Sequence, residues 1–114
     1  MKHHLVIVEP VQIVALDLAL AIRAFDPHAG ITVYHSAAEA LSALDYENPA
    51  AAFIHLEPEG SRSRVLLDHL QRRTIPFAVM GLIAQPLPDE VVRLASPFTE
   101  LSVAAALRAL LNPR

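Results

Sequence analysis

Apolar and polar positions fall along this chain in blocks whose period switches between that of a strand and that of a helix. Leu5-Val6-Ile7-Val8 is a continuous, largely β-branched run, as expected of a strand covered on both faces. Glu9-Pro10 stops it, and Val11 to Phe25 then reads as a helix turning Val14, Leu18, Ile22 and Phe25 toward a core. Asp26-Pro27-His28-Ala29-Gly30 ends that helix, and Ile31 to His35 follows as a second strand. Ser36-Ala37-Ala38-Glu39 has the form of a capping box, in which the Ser36 hydroxyl accepts from the Glu39 amide while Glu39 reaches back. Its helix carries Leu41 and Leu44 inward and fades at Asn48-Pro49.

The third strand, Ala51 to Leu56, is apolar except for His55. Glu57-Pro58-Glu59-Gly60 turns the chain into a helix over Arg64 to Arg73, with Leu66, Leu67 and Leu70 on one side. Pro76 to Met80 is a fourth strand, with Pro76 tolerable as its first residue. Pro86 and Pro88 disfavour a full helix in the next stretch, so a fourth helix is expected to be shortened or absent. Val92-Arg93-Leu94 is a short last strand, and Thr99 caps a final helix predicted to face Leu101, Ala104, Leu107 and Leu111 inward. Strands alternating with helices predict repeated βαβ units, hence an α/β fold with a parallel sheet covered on both sides. Right-handed crossovers leave few topologies, and the flavodoxin-like three-layer sandwich with order 2-1-3-4-5 is the expected one.

Composition narrows the function classes. At 114 residues, the whole of 1–114 reads as one domain, because two halves would each be too small to hold a core. Apolar residues make up 54% of the chain, and the mean hydropathy is +0.38, which argues against disorder. The longest apolar runs are broken by Gln12, Asp17, Arg23 and Asp26, so no membrane span is expected, and the N-terminal apolar stretch is a strand and not a signal peptide. With no cysteine there is neither a disulfide framework nor a thiolate metal site, and a cytoplasmic location is expected. A formal charge of −3 gives no footprint for nucleic acid. Arg62, Arg64, Arg72 and Arg73 cluster around one helix, either as a solvated face or as a surface for an acidic partner. No glycine-rich phosphate loop, nucleophile elbow or nucleophile–base pairing occurs, so no enzyme is expected.

Several stretches resemble the receiver domain of bacterial response regulators. Val8-Glu9-Pro10 through Leu18 is similar to their acidic turn and first helix, and Phe53-Ile54-His55-Leu56-Glu57 sits where they carry the phosphoacceptor aspartate. Leu66-Leu67-Asp68 to Ile75-Pro76-Phe77 resembles their third helix and fourth strand, and Ser96-Pro97-Phe98 their Lys-Pro-Phe. The resemblance covers nearly the whole chain. It implies a pocket beyond the carboxyl ends of the strands, where three carboxylates hold Mg²⁺ and a lysine and a hydroxyl read the phosphoryl oxygens. Position by position, Glu9 opens the acidic turn, Pro10 and Val11 stand in place of the acidic pair, and His55 replaces the phosphoacceptor. Gly81 replaces the Thr or Ser that senses phosphorylation, and Ser96 replaces the lysine. No lysine follows residue 2, so that absence does not depend on alignment. The resemblance also implies a cis peptide before Pro97.

These substitutions imply a degenerate, phosphorylation-independent pseudo-receiver in two-component or phosphorelay-type signalling. It would act through a protein partner such as a histidine kinase or through a second copy of itself, with no cofactor. Two alternatives are a small-ligand or metal sensor and an atypical response regulator that is still phosphorylated. Glu9, His55 and Glu57 are the candidate metal ligands, against a partly buried His55 bonded to Glu9 or to backbone. Phosphorylation of His55 would lack a balancing cation, and Glu57 would serve as a fixed mimic of a phosphorylated aspartate. His3 and His4 read as a fortuitous pair at an exposed terminus, and His28, His35 and His69 show no ligand spacing. Ile13, Leu16 and Leu20 form a second apolar stripe on the first helix, which either belongs to a wide buried arc or faces a partner.

Overall fold

The strands are β1 (His4–Val8), β2 (Gly30–Tyr34), β3 (Ala51–His55), β4 (Phe77–Met80) and β5 (Val92–Arg93), with helices α1 (Gln12–Phe25), α2 (Ala37–Leu44), α3 (Ser61–Arg72) and α4 (Glu100–Leu111) between and after them. The computed structural model describes residues 3–56, 61–81, 91–95 and 97–112. All strand pairs are parallel and the order is β2-β1-β3-β4-β5, the flavodoxin-like arrangement the pattern predicts. Residues 82–90, where a shortened or absent fourth helix is expected, lie outside the described residues, and the last helix therefore takes the label α4. Among the described residues no helix is long and apolar enough to cross a membrane.

The sheet separates two cores because successive strand side chains point to opposite faces. Leu5 and Ile7 of β1, Ala51 and Phe53 of β3, and Ala78 and Met80 of β4 pack under α1 and α4. Val6 and Val8, Ala52 and Ile54, and Val79 pack under α2 and α3. Both faces of β1 and β3 are thus buried, which is why these strands read as unbroken apolar runs. On α1, Leu18 and Ile22 are fully buried, while Val14 and Phe25 are half-buried at the margins. Ala15, Ala19 and Ala21 complete the packed arc, their small side chains letting the helix lie close to the sheet.

Local chemistry sets the boundaries. The Ser36 hydroxyl accepts from the Glu39 amide at 3.1 Å as predicted, but the Glu39 carboxylate accepts from the His35 amide at 3.2 Å, one residue before the cap. Thr99 and Ser102 form a reciprocal capping box at the start of α4. Helix α3 begins at Ser61, three residues before the predicted Arg64, since the Ser-Arg-Ser segment carries no apolar marker. It ends in a Schellman turn: the Ile75 amide donates to the Leu70 carbonyl at 2.9 Å and the Thr74 amide to the Gln71 carbonyl at 3.0 Å. Thr74 takes the left-handed position, φ 54°, that glycine usually fills.

Two expectations are corrected. Helix α4 does not face Leu101 inward: Leu101 is 83% exposed, and Val103, Ala106, Leu107 and Leu110 are the buried set. Its sequence is apolar nearly all round, so periodicity alone admits either face. His3 and His4 are not a free pair at an exposed terminus. His3 Nδ1 lies 3.2 Å from Asp26, and His4, the first residue of β1, places Nε2 2.9 Å from Glu47 Oε1.

Glu47 is the centre of a polar cluster that ties the segment after α2 to edge strand β2. Its carboxylate accepts from the Tyr34 hydroxyl and, at 3.3 Å, from Thr32, while Arg73 donates to the Leu44 and Glu47 carbonyls. Arg73 therefore fastens helix to loop and does not belong to a solvated arginine face; Arg62 and Arg72 are exposed. Burial pushes the Tyr34 phenol up to about 12, with the Glu47 hydrogen bond acting in the same sense. Burial alone would raise the Glu47 carboxyl, but the bonds from Tyr34, His4 and Thr32 outweigh it and hold it below the ordinary 4.5.

Two measurements check this description. Leu107→Ala is expected to cost about 2–5 kcal/mol in urea unfolding, and Leu101→Ser under about 0.5 kcal/mol. Tyr34→Phe should cost about 1–2 kcal/mol by removing a bond to a charged acceptor. Because the folded state raises the Tyr34 pKa, that contribution is complete below pH 10 and is lost as pH climbs through about 12. The Glu47 contribution has the opposite sign: it is complete above 4.5 and falls away as the carboxylate protonates at lower pH. Unfolding curves at acid, neutral and alkaline pH read both limbs.

Candidate functional site

Parallel strands all end on the same edge, so the residues immediately after β1, β3 and β4 meet there. Glu9 follows β1, His55 ends β3, and Gly81 follows β4. In register, Val8 pairs with Ile54 and His55 with Met80, which brings the three side by side.

Glu9 is 1% exposed, the one carboxylate buried in the core among the described residues. A carboxylate in that setting needs partners for both oxygens. Glu9 Oε1 lies 3.1 Å from His55 Nδ1, and Oε2 accepts from the Val11 amide at 3.0 Å. The backbone of Glu9 is held as well: its amide donates to the Tyr34 carbonyl at 2.9 Å, and its carbonyl lies 3.2 Å from His35 Nδ1. The Val11 bond also explains how α1 starts. Val11 is the N-cap and has no side-chain oxygen, so the carboxylate two residues earlier ties down the entry to the helix.

His55 lies over Gly81. A Cβ built on Gly81 would meet His55 Cε1 at 3.0 Å, His55 Nε2 at 3.2 Å and the Leu56 carbonyl oxygen at 3.2 Å. Gly81 also has φ +91°, which a side chain disfavours. Gly81 is therefore required twice, by its backbone angle and by the ring packed against it.

Of the candidate positions, the fold brings Glu9, His55 and Gly81 together. Pro10 and Val11 are adjacent but exposed, one without an amide hydrogen and the other with an aliphatic side chain. Ser96 and Glu57 lie outside the described residues, and with them the expected cis bond before Pro97 and the phosphoaspartate mimic. Among the described residues no group of three metal-ligating side chains occurs. The Mg²⁺ that the receiver resemblance implies does not fit the donors here. Mg²⁺ wants several hard oxygens, and among the described residues the one carboxylate at this edge, Glu9, already lies against the His55 ring and accepts from the Val11 amide. His35 is the contributor that sequence spacing does not reveal, because it reaches Glu9 from the end of a neighbouring strand. His69 Nε2, by contrast, lies away from this edge, 3.7 Å from Asp45.

The geometry makes His55 and Gly81 energetically dependent on each other. His55→Ala is expected to destabilise by about 1–3 kcal/mol, since it strands a buried carboxylate oxygen. Gly81→Ala should cost at least about 1 kcal/mol in the parent chain. In the His55→Ala background the ring's share of that penalty disappears while the Leu56 carbonyl contact and the backbone angle remain, giving a coupling of about 0.5–2 kcal/mol in a double-mutant cycle read by urea unfolding. Additive penalties would mean the ring does not rest on residue 81.

At the level of sequence, no family model and no curated protein matches the chain. Its fold does match solved structures. A response regulator receiver domain (CheY-like) from Methylobacillus flagellatus superposes at TM-score 0.77, with 19% identity, over 96% of this chain and 99% of that one. The response regulator PhyR from Brucella abortus superposes at 0.80 with 19% identity, over 97% of this chain and 48% of that chain, so this chain spans about half of PhyR. SdrG from Pseudomonas melonis Fr1, solved in its BeF3-activated conformation, is 26% identical at TM-score 0.75 over 95% of each chain. The sheet order, the helices on both faces and these neighbours agree: this chain has the receiver (CheY-like) fold of response regulators.

Proposed function

We propose that this chain, acting as one unit over 1–114, is a pseudo-receiver: a protein-interaction module of two-component or phosphorelay-type signalling that works without being phosphorylated. The observation that carries the reading is the pairing of His55 with buried Glu9, at the strand end where a receiver holds its phosphoacceptor aspartate. An imidazole at that place offers no carboxylate to form an acyl phosphate. Among the described residues the carboxylate at this edge, Glu9, has both oxygens engaged, and the ring fills the space above Gly81 where a hydroxyl would stand. With no lysine after residue 2, nothing supplies the usual ammonium for a phosphoryl group.

The signal would then pass through surface contacts. Val11, Ile13, Leu16 and Leu20 are 49, 67, 56 and 59% exposed, so the second apolar stripe of α1 is on the surface and not in a wide buried arc. Four large apolar side chains exposed along one short segment mark an interaction face. The role is non-enzymatic, and the partner is a signalling protein, with a histidine kinase the class the fold suggests.

Amide NMR spectra with and without Mg²⁺ plus beryllofluoride test the reading. Unchanged resonances at residues 9, 11, 55–57, 81 and 96 are expected, together with no mass increment after treatment with a small-molecule phosphodonor. Shifts clustered at those residues would overturn it.

A further inference from the structure

Among the described residues, one buried side-chain nitrogen or oxygen has no hydrogen-bond partner, and it is His69 Nε2. An orphaned polar atom in a packed interior is costly and points to a state of the molecule in which it is satisfied. His69 stands in the last turn of α3, and its Nε2 is 3.7 Å from Asp45 Oδ1 at the end of α2, beyond hydrogen-bond reach. The His69 side chain is 20% exposed and that of Asp45 67%, so the carboxylate is the partner free to move. Two helix C-termini meet here, and the negative ends of both macrodipoles favour a cation. Arg73 answers part of that field by donating to the Leu44 and Glu47 carbonyls. The other charged groups on these elements divide by sign. Arg72 and Arg73, one turn along α3, oppose a charge on His69, as does its burial, while Asp45 and Asp68 favour it. Glu47 is committed to His4, Thr32 and Tyr34, and Glu39, in the first turn of α2, to the His35 amide.

We propose that His69 and Asp45 form an acid-closed latch between α2 and α3: when the imidazole takes up a proton from solvent, Asp45 swings in and accepts from Nε2. A neutral N–H could reach the same carboxylate, but only the imidazolium also gains from the charge of Asp45 and from the two helix ends. The folded state therefore favours the protonated form. That sign means the latch stabilises below the range where imidazoles titrate and is released as pH rises through it. Helix α2 has the most to gain. It has eight residues, with Ala37, Ala40 and Leu44 as its buried side chains, and a helix that short is marginal without tertiary ties. With the latch open, Arg73 ties its C-terminal end to α3; with the latch closed, His69 adds a second tie one turn away. The α2–α3 face then becomes the part of this module whose order follows pH, apart from the pocket at the strand ends.

The test uses the full chain and does not depend on whether the pocket is silent. In an NMR titration the His69 Hε1 resonance, identified by its absence in His69→Gln, should titrate about 0.3–1 pH unit higher in the parent chain than in Asp45→Asn. In urea unfolding, Asp45→Asn should lower the folding equilibrium constant about 2–5-fold at about pH 5.5, and by less than about 1.5-fold at about pH 8. The loss at acid pH should vanish in the His69→Gln background. His4, Tyr34 and Glu47 are unchanged in these variants, so their own titrations cancel in the comparison. A His69 midpoint that Asp45→Asn leaves in place overturns the latch. So does an equal loss at both pH values, the result that a water fixed between Nε2 and Asp45 at every pH would give.

Discussion

Burial of both faces of β1 and β3 is the constraint on which the rest of this structure depends. Their side chains are within 2% of complete burial except at the ends, and each face needs its own helices: α1 and α4 on one side, α2 and α3 on the other. Covering both faces with right-handed crossovers fixes the strand order. It also fixes where polar side chains of different strands can meet, because the strand interiors are closed and apolar and the strand ends are not. Glu9, His55 and Gly81 meet for that reason.

At that edge the fold solves an electrostatic problem by internal pairing. A receiver pocket gathers several carboxylates and relies on a metal ion to hold them together. Among the described residues here one carboxylate stands at the edge, and an imidazole and a backbone amide are its partners. The same carboxylate anchors the start of α1, so the pocket and the helix that presents the exposed stripe are joined through one side chain. The second polar cluster, around Glu47, does comparable work at the opposite end of β1, where His4, Thr32 and Tyr34 converge on one carboxylate.

Much of this was legible in the residues. The apolar runs locate every strand to within a residue or two, and the receiver resemblance places Glu9, His55 and Gly81 at one edge. What was not legible has identifiable causes. The phase of α4 is not encoded by periodicity because Leu101 and Leu107 are equally apolar, and only packing against α1 and the sheet chooses between them. The reach of Glu39 to the His35 amide departs from the capping-box form by one residue, a matter of local geometry that spacing does not encode. His35 and Glu47 act from positions beside strands β1 and β2, and contacts between residues so distant in sequence leave no periodic trace.

The packing of His55 on Gly81 also bears on how this edge tolerates substitution. Placing an aspartate at 55 first would set a second carboxylate beside buried Glu9 with no cation to separate them. Placing a threonine at 81 first would drive a side chain into the imidazole and into a backbone angle it disfavours. Either single step descends in stability before a later one recovers it. The two positions are thus locked together: a change at either is expected to lose stability until the other changes with it.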